Sequence, residues 1–325
     1  MKKKIKITIF FTIFFPAVFM IYADDSLFTV MPWNGYKAAV SLTFDDGDPI
    51  HLDIAVPEMQ KRKIRGTFFL MAGTFTRPDE WKKAAESGME IGNHSMTHKH
   101  AYELNADNIK DEVDKAGEIL RELSGQSVLA FAYPFIEITD ELRKQVEKNC
   151  FIARGGGSGE LYYTPDMEPD WYDIHSQMTK TQTGLETYQW WVDTAISLGA
   201  WTIFMIHAIE GSNWYEPMPK KVFTEFLDYI EKNKEKIWIA PFGEIGAYWK
   251  AQKVLEAVKP VKKENVFVFK WNRPQPFPDG VVLKIKVGGD GNKIIQAGKK
   301  IEPISSGIYP VSFDAGELTI EKINK

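Results

Sequence analysis

Cysteine is nearly absent, since Cys150 is the only one in 325 residues. A single thiol excludes an internal disulfide, so stability must come from a packed core. Cys150 opens the stretch "CFIARG", an apolar context in which a thiol packs as a small hydrophobe. Neither sign of charge dominates, with Lys+Arg 40 against Asp+Glu 44 and a net charge of −4. That balance excludes the basic surplus needed to neutralise phosphates, and with it a nucleic-acid partner. No Gly-rich phosphate loop follows the first predicted strand, and "RGGGSGE" lacks both the Lys and the helix start of a P-loop. Internal repeats and low-complexity tracts are missing as well. Long apolar runs are scarce. The one present, Ile7 to Tyr22, follows Lys2, Lys3, Lys4 and Lys6 and is broken by Pro16. It is shorter than the roughly 20 apolar residues of a bilayer span. With small Ala23 next and two acids after it, we read residues 1–23 as a signal peptide. The mature chain would then start at Asp24, be exported to the periplasm or beyond, and keep no membrane span.

What is present is an alternation of strand and helix. Apolar or β-branched runs occur at Ala38 to Thr43, Gly66 to Met71, Glu90 to Gly92, Val128 to Ala132, Phe151 to Arg154, Tyr172 to Ser176, Trp201 to Ile206 and Ile237 to Ala240. Helical patterns separate them. One starts at Asn105 as N-cap and sets Ile109, Val113, Ala116, Leu120 and Leu123 on one face before Gly125 stops it. Another spans Leu185 to Leu198, with Tyr188, Trp190 and Trp191 read as core. Such alternation implies an α/β fold with a mainly parallel sheet, and about eight strands at this length suggest a barrel. From Lys259 the pattern changes to short strand-like pieces divided by "PDG", "GGDGN" and "SSG". This predicts a catalytic barrel over residues 24–258 and a small all-β domain over 259–325.

The chemistry-bearing residues fall at predicted strand ends. "SLTFDDGDP" places Asp45 and Asp46 side by side after the first strand. Alone, "DDG" reads as a turn. In "GNHSMTH", however, His94 and His98 stand four apart, a spacing that on a helical turn sets both imidazoles on one face. Asp46, His94 and His98 would make an Asp-His-His metal set with positions left open, as in a catalytic zinc site. Asp45 would stay unligated beside it, free to take a proton from the attacking water.

With these motifs on the page, the chain resembles the polysaccharide deacetylases, the NodB-homology family of metal-dependent carbohydrate esterases (family four). The likeness runs in order over roughly residues 36 to 250. It implies an irregular (β/α) barrel and a Zn2+ cofactor, or another divalent metal such as Co2+. "TFDDG" carries the base Asp45 and the metal ligand Asp46, and "HSMTH" carries the ligands His94 and His98. "IFMIHAI" ends in His207, which the resemblance makes the catalytic acid. Many relatives have an Arg two residues before the Pro of the middle motif; here "FAYPF" puts Ala132 there. Arg154, ending the next strand, is expected to supply that charge. Pro134 has no amide hydrogen, so the Phe135 N–H is the expected oxyanion donor. Tyr133, Trp214 and Tyr215 are expected to contact substrate, and Asp173 or His175 to contact His207. The implied activity is removal of acetyl groups from an N-acetylglucosamine-containing polymer or another acetylated polysaccharide. A cyclic-amide hydrolase and a non-catalytic carbohydrate-binding protein are the other readings.

Overall fold

The computed structural model describes residues 27–156, 159–289 and 291–322. The signal peptide expected over 1–23 lies outside the described residues. The apolar runs form one curled sheet. Side by side it runs Ile152–Arg154, Ala130–Ala132, Glu90–Asn93, Thr67–Leu70, Ala38–Phe44, Trp201–Ile206 and Gln177–Met178. Ile237–Ile239 pairs with the first half of Ala38–Phe44. Every one of these pairings is parallel. Parallel neighbours need crossover connections, and helices such as Pro78–Glu86 and Leu185–Leu198 supply them. With a helical layer outside, the two central strands are buried along their whole length.

The expected strand over Tyr172 to Ser176 is not a strand. Ile174 instead bridges Arg154 at one edge of the sheet, and Gln177–Met178 pairs with Phe204 and Met205 at the other. This short stretch closes the curl irregularly. The Asn105 helix has its expected cap, the Asn105 side chain accepting from the Asp107 and Asn108 amides. It begins with a π-helical turn over Asp111–Lys115 before the α-helix Ala116–Ser124. Trp190 corrects the core reading: it is 60% exposed. Its neighbours Tyr188 and Trp191 take the inward arc of the helix and meet Phe204, which turns position 190 outward.

The C-terminal part is strand-rich, as its turn signals imply. Val266–Lys270, Lys293–Gln296 and Glu317–Glu321 form the centre of a five-stranded antiparallel sheet. Val282–Val287 and Ile308–Ser312 form a smaller sheet with Phe28–Val30, a strand from the far end of the described chain. One hydrophobic cluster runs from the barrel residues Trp201, Phe242 and Trp249 into Leu283, Ile285 and Phe313.

The candidate metal centre and its cleft

The candidate metal ligands and acid–base side chains stand at or just past carboxyl ends of sheet strands, the end where parallel barrels place their sites. Asp45 and Asp46 follow Phe44, His94 follows Asn93, Arg154 ends its own strand and His207 follows Ile206. The ligating atoms of Asp46, His94 and His98 lie within 4.8 Å of one another. His94 Nε2 is 3.2 Å and His98 Nε2 is 3.3 Å from Asp46 Oδ1. That oxygen is buried and accepts no hydrogen bond. An orphaned buried carboxylate oxygen facing two imidazole nitrogens is the donor set a divalent cation satisfies. His94 Nδ1 bonds the Ala132 carbonyl at 2.8 Å, which leaves Nε2 as the free ligand atom.

The helical-face rationale for the histidine pair does not hold. Residues 94–98 form a loop in which Ser95 (φ 66°) and His98 (φ 55°) are left-handed. Two side chains shape it. Asn93 Oδ1 accepts from Ser95 N at 2.9 Å. Buried Glu112 accepts from Met96 N at 3.0 Å, from Thr97 N at 2.9 Å and from the Thr97 hydroxyl. Sequence reading missed Glu112, although its place one step from inward Val113 on the Asn105 helix was the available signal.

Charge around the centre is finely opposed. Burial would raise Asp46, yet the adjacent His94 imidazole, with the Trp214 indole, holds it far below the usual carboxylate range. Burial would lower His94, and the neighbouring Asp46 and Asp45 carboxylates outweigh it. His98 is pushed down by burial and then by neighbouring His94. Asp45 is outside the trio. It is buried and bonded by the Arg154 guanidinium, which is itself buried and lies 5.3 Å above the Phe69 ring. His207 Nε2 stands 3.9 Å from Asp45 Oδ2. Burial lowers His207, against the pull of Asp45 and Asp46.

The cleft holds about 540 Å³, its polar floor walled by Phe135, Met178, Met205, Trp214 and Tyr215. Phe135 sits in a tight turn closed by Ile136 N to Tyr133 O and Glu137 N to Pro134 O, so the Phe135 N–H is used by neither bond. Trp214 does more than offer a ring: its Nε1 donates to Asp46 Oδ2 at 2.6 Å. Tyr215 meets His207 edge-on at 5.1 Å. Tyr133 is different from expectation. It borders the cleft, but it is 1% exposed and packs with Phe131, Leu142 and Val146, so it presents no ring to a sugar. Asp173 and His175 pair with each other at 3.4 Å, and His207 Nδ1 has no partner among the described residues. Two further residues support the cleft from behind. Buried His51 contacts the His207 carbonyl through Nε2 at 2.9 Å. Asp48 anchors the Trp214 loop by accepting from the Ser212 hydroxyl.

Residues 34–151 match the family model described as "Polysaccharide deacetylase". The chain is 31% identical over 126 residues to a peptidoglycan-N-acetylglucosamine deacetylase of Bacillus cereus, covering 38% of this chain and 45% of the relative. It is 28% identical over 118 residues to the peptidoglycan-N-acetylmuramic acid deacetylase PdaC of Bacillus subtilis, covering 36% of this chain and 25% of the relative. It therefore spans under half the length of these relatives. A solved structure from Mycobacterium smegmatis assigned to the polysaccharide deacetylases superposes with a TM-score of 0.55 at 17% identity, covering 69% of this chain and 94% of the other; that likeness concerns the fold. Residues 34–151 thus carry the likeness to the polysaccharide deacetylase family model, and the curled barrel shares its fold with the solved structure.

Proposed function

We propose that this chain is a metal-dependent hydrolase that removes acetyl groups from an extracytoplasmic carbohydrate, an N-acetylglucosamine-containing polymer or another acetylated polysaccharide. The observation that carries the reading is the convergence of Asp46, His94 and His98 beside a second carboxylate, Asp45, that is held apart from them by Arg154. A binding protein has no need of that second acid. The peptidoglycan deacetylases among the relatives support the substrate class. In this reading residues 24–258 are the catalytic unit, and residues 259–325 brace it.

A divalent metal, Zn2+ or Co2+, held by Asp46, His94 and His98 would supply Lewis acidity to the acetyl carbonyl and the attacking water. Asp45 takes the proton of that water, aimed by the Arg154 guanidinium. The Phe135 N–H stabilises the oxyanion as the carbonyl becomes tetrahedral. His207, on the far side of Asp45, gives a proton to the leaving amine or hydroxyl. Burial makes its imidazolium a readier proton donor than a free one. Trp214 and Tyr215 flank the sugar.

The test is acetate release by the chain from Asp24, on N-acetylglucosamine oligomers, peptidoglycan and acetylated xylan, chelated and then zinc-restored. Zinc-dependent release from one of them is expected; none from any, with zinc bound, refutes the reading. The role of Arg154 has its own check. Arg154→Lys keeps the charge but loses the planar fork, so turnover is expected to fall about tenfold or more, with metal affinity unchanged. Full turnover in that variant would remove Arg154 from the mechanism.

A further inference from the structure

Three rings lead outward from the metal centre, starting at Phe135 on the cleft wall. Phe135 meets His98 edge-on, with 4.4 Å between centroids. Its face lies on His100 at 3.8 Å and 11°. His100 in turn stacks on Tyr102 at 5.0 Å and 20°. Two separate segments supply these rings, and Glu137 ties them together. Its Oε1 bonds His100 Nδ1 and its Oε2 accepts from Ala101 N, each at 3.0 Å. The ladder is thus held in place before any ligand arrives, which lowers the ordering cost of binding.

Tyr102 ends the ladder and is 71% exposed. Its inner face is taken by His100, so the exposed surface is the outer face and the phenol edge. A pyranose ring has an apolar C–H face that stacks on an aromatic ring, and hydroxyls that a phenol can meet. We propose that the outer face of Tyr102 is a platform for a sugar ring beyond the unit being deacetylated, so that this chain favours long substrates over short ones. The identity of the ligand as a carbohydrate chain rests on the deacetylase reading.

The experiment measures binding and acetate release separately, with the full chain from Asp24. The probes are N-acetylglucosamine dimer and hexamer, and acetylated xylohexaose. Tyr102→Ala is expected to weaken hexamer binding about fivefold by calorimetry and to leave the dimer unchanged. Tyr102→Phe, which keeps the face, should retain most of the advantage. Because Tyr102 is on the surface, neither variant should disturb folding, which a melting curve verifies. Binding of both hexameric probes unaltered in Tyr102→Ala, or no hexamer advantage in the parent chain, overturns the platform even where acetate is released. Hexamer binding that depends on Tyr102 without acetate release supports the platform and refutes the deacetylase reading.

Discussion

Single residues show how closely the centre depends on neighbours that hold no metal. The Trp214 indole bonds the oxygen of Asp46 opposite the one facing the two histidines. Partners of this kind fix the direction of a ligand, and losing one typically costs 10- to 100-fold in metal affinity. Trp214→Phe keeps an aromatic ring at the cleft and removes only the donor. We expect zinc affinity, read by competition with a chromogenic chelator, to drop about tenfold; an unchanged affinity would reduce the indole to a wall residue. His51 offers a second test. Burial pushes it down to about 4 from 6.5, because its ring is enclosed against Phe44 and Phe68. Between those pH values the unfolded chain binds a proton there that the folded chain refuses. Stability therefore rises with pH across that window and is lost on acidification, by up to about 3 kcal/mol. Urea unfolding from pH 4 to 7 should show a shallower pH slope in His51→Asn than in the parent. Equal slopes would mean that His51 titrates normally.

At the scale of elements, the strand Glu90–Asn93 carries His94 on its end and packs Gly92 against the barrel interior. A methyl at Gly92 would lie 2.4 Å from Phe69 Cδ1. The Phe69 ring is fully buried beneath the Arg154 guanidinium, so it has nowhere to retreat without disturbing the partner of Asp45. Gly92→Ala is expected to cost about 1–3 kcal/mol in denaturant unfolding and to lower acetate release more than it lowers zinc affinity. A variant of parental stability and activity would show that the interior has slack.

For the whole molecule, the question is whether barrel and strand-rich tail are separable. The Tyr248 hydroxyl donates to Met31 O at 2.7 Å and accepts from Lys284 N at 3.2 Å. Lys284 O takes the Met31 amide at 2.8 Å. These bonds knit the helix Phe242–Glu256, the strand Phe28–Val30 and the tail into one core. A chain ending at residue 258 would leave Val30, Tyr248 and Leu255 uncovered. It should aggregate or melt well below the full chain, which itself should unfold in one transition. A soluble 24–258 fragment with the parent's melting temperature would establish two independent units. Among the described residues no helix is long and apolar enough to cross a membrane.

The sequence by itself determined the alternation of strand and helix and the strand-rich tail, which rest on local signals of apolar period and turn residues. It put Asp46, His94 and His98 forward together on a helical spacing of the two histidines, whereas in the structure a loop brings them within reach of one another. Only the tertiary structure decided which distant residues meet. Arg154 reaches Asp45 across 109 positions and Trp214 reaches Asp46 across 168. Strand order set the first contact and a long loop the second, and neither is written in periodicity. The same holds for Tyr133, Trp190 and Tyr102. A pattern marks a ring as apolar, but whether it is buried, exposed or stacked depends on what the fold brings against it.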